Sequence, residues 1–295
     1  MEGNASNKDH NIAVPGHYID AYLTPRRKLL DSKYREMRIS AEKYGDMTFN
    51  AIEHRIMMGI LSGYNENGYN REVFTKGMVV TPHQLCSRMG YLQNSLGLFG
   101  RTKRTEALSA LVGLSKKLFT VCFLKFKRRG PEGDVYDTVT IPYCSVVDII
   151  YESSDVTEQD LKTGKVLEKA SRIHVRIKPI FYNESYYRLF ETNFYARLKS
   201  HLAKQNRRVS GYHFNFALWY LRQKHHKKPI EINVDKLSIT LKVPNDVAHR
   251  TRARELVRRL YEDFKAIGYI SNYRINEPAR SCGTKDIIAL AGKLG

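Results

Sequence analysis

The sequence is poor in cysteine and has no long apolar run. Its four cysteines, Cys86, Cys122, Cys144 and Cys282, are scattered over 295 residues, and no two of them have the spacing of a metal site. Such cysteines are typical of reduced thiols, so we expect a cytoplasmic protein. No stretch of about eighteen consecutive apolar residues occurs, which argues against a membrane-spanning helix.

Signatures of catalysis are also missing. There is no Gly-x4-Gly-Lys-Ser/Thr loop to cradle nucleotide phosphates. A rolling-circle nickase holds its metal with two histidines that flank one apolar residue, and the nearest match here supplies only His174. The tyrosines at 182, 186, 187 and 195 are then best interpreted as core or stacking residues. We predict that the chain is not an enzyme and has no catalytic residues, no metal and no cofactor.

Acidic residues are few for the number of basic ones. Forty-nine lysines and arginines stand against thirty aspartates and glutamates, which gives a formal net charge of +19. Such a charge attracts polyanions, because binding releases the counterions condensed on a nucleic acid. A ribosomal or merely basic protein would carry similar charge, so that alternative stays open. We expect nucleic acid as the partner.

The chain shows one order of elements twice. Residues 1–45 lack apolar periodicity and are predicted to form a flexible basic arm, in which a short basic helix starts at Pro25. Residues 46–178 show two helical segments, a longer helix, and two strand-like segments around a turn, Lys127–Asp134. Because this is the order of a winged-helix domain, we place the wing at that turn.

The second half, residues 179–295, repeats this order. We predict helices at Tyr187–Leu202, Phe214–Leu221 and Asp235–Leu241, a strand at Ile230–Val234, a long helix from Pro244 to Ile267, and a closing hairpin of residues 269–275 and 285–290. The predicted fold is therefore α+β, with two tandem winged-helix domains whose wings are small antiparallel β-hairpins.

The long helix after Pro244 is the strongest candidate for reading DNA. At about 100° per residue, its apolar side chains fall on one face and its arginines on the other. This division lets one face pack while arginine forks reach guanine edges and phosphates. The predicted DNA-binding residues here are Arg250, Thr251, Arg252, Arg254, Glu255, Arg258 and Arg259. A solvated amphipathic helix with i,i+4 ion pairs is the alternative.

A long stretch without acids supports this interpretation. Many residues between Arg197 and Lys228 are basic and none is acidic. Ordinary surfaces mix charges of both signs, so the stretch indicates phosphate contact. The candidates within it are Arg207, Arg208, Lys224, Lys227 and Lys228.

The first half offers a second, weaker surface at the start of its longest helix and at its hairpin turn. Its candidate DNA-binding residues are Arg101, Thr102, Lys103, Arg104, Lys127, Arg128 and Arg129. The alternative is that this half docks on a partner protein and uses its charge only for steering. We predict that both halves contact DNA.

Four segments carry a resemblance to a known family: Val80–Gly90, Arg101–Leu108, Arg188–Phe194 and Phe216–Tyr269. In these the chain is similar to iteron-binding plasmid replication initiators with tandem winged-helix domains, particularly those of broad-host-range plasmids. The resemblance implies a protein that binds direct repeats at an origin as a monomer, forms a homodimer off DNA, and opens AT-rich DNA nearby. It also implies a host initiator and the replicative helicase as partners. The loop from Tyr91 to Gly100 is longer than a tight helix-turn-helix connection.

Two other functions stay open at this point. A winged-helix transcriptional regulator or autorepressor would bind an inverted repeat as a stable dimer. A nickase-type replication enzyme would form a covalent tyrosyl adduct on supercoiled DNA. The initiator interpretation instead predicts occupation of several direct repeats.

Overall fold

The chain divides into two compact units in a computed structural model. The model describes residues 11–23, 37–40, 49–131, 133–163, 165–182, 184, 187–191, 193–223, 230–244, 248–275 and 287–291. The N-terminal unit is Ala13–Tyr187, and the C-terminal unit consists of the described residues of Met1–Ile12 and Arg188–Gly295. The predicted domain boundary, between residues 178 and 179, lies slightly earlier than this division.

Part of the predicted arm is folded. Residues Asn11–Pro15 form strand β1, Gly16–Leu23 form helix α1, and Met37–Ser40 form strand β2. Tyr18 and Tyr22 of α1 are fully buried, and the hydroxyl of Tyr22 accepts a hydrogen bond from the Phe49 backbone N–H at 3.1 Å. The arm prediction is therefore wrong over this stretch, because two helical turns are too short to show a clear apolar period. The predicted basic helix at Pro25 lies outside the described residues.

The helical part of the N-terminal unit follows the predicted order. It contains α2 (Ala51–Glu66), α3 (Arg71–Lys76), β3 (Met78–Val80), α4 (Pro82–Arg88) and α5 (Arg101–Ser115). Thr81 caps α4 in a reciprocal pair with Gln84, and Pro82 takes the first helical position, which confirms the predicted start of this helix. Helices α2, α4 and α5 pack on one another through apolar side chains that include Ile56, Leu85 and Leu108.

Two separate three-stranded sheets follow α5. Strands β4 (Leu118–Gly130) and β5 (Gly133–Ser145) form a long hairpin whose β4 also pairs with β2. Strands β6 (Val147–Ser153) and β7 (Ala170–Ile177) form a second hairpin, and β7 pairs on its other side with β3. The connection between β6 and β7 contains α6 (Glu158–Thr163) and a 3-10 turn, Lys165–Lys169.

This pairing corrects the predicted wing. In a winged helix, the strand before the second helix pairs with the last strand of the hairpin that follows the third helix. Here β3 pairs with β7 in the order β3-β7-β6, so the wing is the connection between β6 and β7. The turn at Lys127–Asp134 belongs instead to an inserted hairpin. No local pattern could predict this pairing, because it joins strands that are distant in the sequence.

The C-terminal unit repeats the arrangement. It contains β8 (Tyr187–Glu191), α7 (Phe194–Ala203), α8 (Gly211–Gln223), β9 (Ile230–Asn233), α9 (Val234–Thr240), α10 (Arg250–Ala266), β10 (Asn272–Ile275) and β11 (Ile287–Ala291). The strand order β9-β11-β10 matches the order β3-β7-β6 of the other unit. The predicted helix Tyr187–Leu202 is wrong in its first part, where Phe190 is buried and its neighbours are not, as in a strand.

An aromatic core holds α10 in the C-terminal unit. Phe264 of α10 lies between Phe216 of α8, at 4.5 Å between ring centroids, and Phe194 of α7, at 5.5 Å. Trp219 and Tyr261 are also buried. The α+β prediction with two winged-helix domains is thus confirmed at the level of topology. The third helix of each winged-helix domain, α5 or α10, packs on the other helices of its unit.

Candidate nucleic-acid interface

Helix α10 has the two faces that its sequence predicts. Ala253, Val257, Leu260 and Phe264 are buried, while Leu256 is only partly covered. The exposed side chains of its first three turns are Arg250, Thr251, Arg252, Glu255, Arg258 and Arg259. Six of the seven predicted DNA-binding residues of this helix therefore lie on one solvent-facing surface, which presents guanidinium groups in the fork geometry that binds phosphates and guanine edges.

The seventh residue, Arg254, has a partner that the sequence did not reveal. Its Nε lies 3.2 Å from Oδ1 of Asp235 and its Nη2 lies 3.3 Å from Oδ2, while Arg250 Nη2 lies 2.9 Å from the same Oδ2. Burial by itself would raise the pKa of the Asp235 carboxyl, but the hydrogen bonds and positive charges of Arg254 and Arg250 lower the pKa by more than burial raises it. The pKa therefore lies below its ordinary value, and Asp235 stays ionised at neutral pH.

A buried carboxylate fixes the last turns of α10. Asp263 accepts two bonds of 2.8 Å from the guanidinium of Arg207, and Nε2 of His201 and of His213 lie 3.3 and 3.4 Å from its oxygens. Burial tends to raise the pKa of Asp263, but the bonds from His213 and Arg207 outweigh it and hold the pKa below its ordinary value. The cluster ties α10 to α7, α8 and the loop between them.

This cluster corrects the prediction for Arg207. The sequence placed its guanidinium on DNA phosphates, whereas the structure commits both arms of the fork to a carboxylate inside the C-terminal unit. Its neighbour Arg208 is exposed, and its phosphate contact stays a prediction. Lys224, Lys227 and Lys228 lie outside the described residues, so their predicted phosphate contacts stay predictions. The sequence suggested Asp263 only as an i,i+4 partner of arginines on its own helix, because no local pattern joins it to the distant Arg207.

The start of α5 is the corresponding surface of the N-terminal unit. Arg101, Thr102 and Arg104 are exposed, and Lys103 is partly covered because its Nζ donates to the backbone oxygen of Leu92 at 3.0 Å. Arg101 forms an ion pair with Glu168, which lies in the 3-10 turn of the wing connection. The structure therefore brings the first turn of α5 and the wing of this unit together.

The long connection between α4 and α5 is an ordered loop. Oδ1 of Asn94 accepts hydrogen bonds from the backbone N–H groups of Leu96 and Leu98, at 3.0 and 2.9 Å. The Tyr91 hydroxyl donates to Glu106 of α5 at 2.8 Å, and the guanidinium of Arg55 lies over the Tyr91 ring. These contacts give α5 a fixed position although its connection to α4 is longer than a tight turn.

The basic tip of the β4-β5 hairpin is exposed but lies outside the winged-helix sheet. Lys127, Arg128 and Arg129 are all solvent-facing. In the hairpin register Arg129 stands opposite Asp134, and the hairpin pairs with β2 rather than with β3. The three residues can still meet phosphate, but they do not form the wing beside α5.

Among the residues that the structure describes, no group of three or more histidine, cysteine, aspartate or glutamate residues is arranged to hold a metal ion. Every helix in that part of the chain is too short or too polar to span a membrane.

Comparison with known proteins gives little. No family model matches the sequence, and no curated protein matches it either. Two crystal structures of domains 2 and 3 of RctB are similar in fold. The first, of selenomethionine derivatives, has 10% sequence identity and a TM-score of 0.45, and the match covers 96% of this chain and 99% of that one. The second has 9% identity and a TM-score of 0.44, over 93% and 96% of the two chains.

Proposed function

We propose that this chain is a sequence-specific double-stranded DNA-binding protein that initiates plasmid replication by binding direct repeats at an origin. The observation that carries the proposal is the repeated topology: in each unit a winged-helix sheet and helix pair support a third helix whose exposed first turn is rich in arginine. Third helices of this kind enter the major groove with their N-terminal residues.

The charge and the geometry supply different parts of DNA binding. The net charge of +19 favours any nucleic acid and makes the affinity dependent on salt. Discrimination between sequences requires donors in fixed positions, and each good bidentate contact to a base contributes about 1–3 kcal/mol of discrimination. Helix α10 supports this part of the proposal, because its packed face and Asp263 fix the helix while Arg258 and Arg259 stay exposed.

The finer parts of the proposal rest on the resemblance carried by Val80–Gly90, Arg101–Leu108, Arg188–Phe194 and Phe216–Tyr269. In this proposal the chain works in the cytoplasm, is a homodimer off DNA and binds each direct repeat as a monomer. It is not an enzyme, so binding and DNA deformation supply the free energy that opens AT-rich DNA. A host initiator and the replicative helicase then join the opened origin.

Selection of binding sites from random duplexes, followed by footprinting on an origin that carries them, tests the proposal. We expect several protected blocks of equal size in direct orientation, with permanganate-reactive thymines in the neighbouring AT-rich segment. One symmetric block over an inverted repeat would instead indicate a dimeric regulator. A covalent protein–DNA adduct on supercoiled plasmid with divalent metal would contradict the non-enzymatic part.

A further inference from the structure

One carboxylate binds two arginines in the first two turns of α10. Arg250 is the first residue of that helix and Arg254 lies one turn later, so both side chains leave the same face. Asp235, in the first turn of α9, binds both, at 2.9 Å for Arg250 and at 3.2 and 3.3 Å for Arg254. Asn233, and not Asp235, caps α9.

The N-terminal unit has a similar contact. Arg101 is the first residue of α5, as Arg250 is of α10, and it forms an ion pair with Glu168. In both units, therefore, the arginine that opens the third helix is held by an acid from another element.

We propose that Asp235 is a positioning residue that determines the sequence specificity of α10. An unrestrained guanidinium pairs with any phosphate, which raises the affinity for all DNA alike. Asp235 holds each bound arginine in one orientation. To contact DNA whose acceptors do not match this orientation, the arginine must break its bonds to the carboxylate. Only a site with matching acceptors gains from the fixed arrangement. This inference rests on the proposed function.

The experiment compares four full-length proteins: the wild type, Asp235→Asn, Asp235→Glu and Asp148→Asn. Asp148 is the matched control, because it also binds two basic side chains, Arg176 at 2.8 Å and Lys178 at 2.7 Å, but it lies on β6 and neither partner belongs to a third helix. Dissociation constants are measured for a selected duplex and for a random duplex of equal length at several salt concentrations. Circular dichroism spectra establish that each variant is folded.

For Asp235→Asn we expect random DNA to bind several-fold more tightly and with a salt slope steeper by about 1, because a freed arginine engages one more phosphate. The preference for the selected duplex should fall by about tenfold, within the range of one lost bidentate base contact. Asp235→Glu should restore part of the preference. Asp148→Asn makes the same charge change and should leave the preference unaltered.

The possible outcomes distinguish a failure of this inference from a failure of the proposed function. A wild-type chain without sequence preference would overturn the proposed function and this inference with it. A wild type with preference, combined with an unchanged preference in Asp235→Asn, would overturn only the inference. An equal loss of affinity for both duplexes in Asp235→Asn would also overturn it, since Asp235 would then merely support the fold.

Discussion

The two winged-helix units hold their third helices in different ways. In the C-terminal unit, a buried carboxylate, Asp263, anchors the last turns of α10 through Arg207 and two histidines. In the N-terminal unit the polar contacts of α5 are separate pairs: Tyr91–Glu106 and Arg101–Glu168 near its start, and Lys117, just past its end, with the buried Glu53 at 3.6 Å. The same topology can thus rest on one carboxylate with three partners or on several separate pairs together with apolar packing.

The units also differ by an insertion. In the N-terminal unit the β4-β5 hairpin stands between the third helix and the strands of the winged-helix sheet, and it forms a sheet with β2. In the C-terminal unit β10 follows α10 after a short turn. A basic turn directly after a third helix is therefore not sufficient to identify a wing.

The largest effect should come from removing the anchor of α10. Asp263→Asn should lower the free energy of unfolding of the C-terminal unit by about 3 kcal/mol, since it leaves Arg207 and two histidines without their carboxylate. This is the lower end for a broken buried pair, because the Arg207 side chain is 34% exposed. Urea unfolding followed by the fluorescence of Trp219, the single tryptophan, measures it.

The stability difference between the wild type and Asp263→Asn should depend on pH. The pKa of Asp263 lies below its ordinary value of 3.8 when the chain is folded, so the unfolded chain binds its proton first as the pH falls. The stabilisation is fully present above pH 3.8 and is lost as the pH drops through the lower pKa of the folded state. The wild type and Asp263→Asn should converge in stability only in that acid range; convergence near neutral pH would contradict this assignment.

The next largest effect should be on DNA affinity, when exposed arginines of α10 and α5 are replaced in turn. Arg258→Ala should weaken binding to the selected duplex by about 1–3 kcal/mol and spare random DNA, if its side chain reads a base. Arg104→Ala on α5 should cost less and affect both duplexes equally, as expected of a phosphate contact. Arg71→Ala, an exposed arginine of α3, is the control. Equal effects of Arg258→Ala on both duplexes would argue against base reading by α10.

A smaller effect concerns the helix that precedes each third helix. The Thr81 hydroxyl oxygen accepts a bond from the Gln84 N–H and the Thr81 N–H donates to the Gln84 side chain, whereas Asn233 caps α9 by accepting one bond from the Lys236 N–H at 3.1 Å. Thr81→Ala and Asn233→Ala should each lower the free energy of unfolding by about 1 kcal/mol, with the smaller loss at Thr81, because the alanine variant keeps the backbone N–H that donates to Gln84. Thermal unfolding followed by circular dichroism tests this order, and a larger loss at Thr81 would show that the bond to Gln84 depends on the Thr81 hydroxyl.

The smallest effect should come from the inserted hairpin. Replacing Lys127, Arg128 and Arg129 together by alanine should leave the preference for the selected duplex unchanged, because these residues lie outside the winged-helix sheet. Affinity for all DNA should fall modestly, with a shallower salt slope. A lost preference in competition binding would show that the hairpin takes part in sequence reading after all.

Elements whose signals lie within one helical turn could be predicted from the sequence. Residues only a few positions apart determine the cap at Thr81, the two faces of α10 and the repeated order of helices and strands. The structure confirms these three predictions. The candidate site was predicted only in part for the same reason. Exposed arginines could be placed on a helix face, but their partners Asp235 and Glu168 come from other elements. The partner of Asp263, Arg207, likewise lies in a distant loop.

The sequence by itself thus determined the fold class, the charge and the arginine-rich faces of α5 and α10, because periodicity and capping are local properties of the chain. Only the tertiary structure decided that β3 pairs with β7, that Arg207 binds Asp263, and that Asp235 holds Arg250 and Arg254. Each of these contacts joins segments distant in sequence. Packing of the whole unit brings those segments together, and no short pattern encodes that packing.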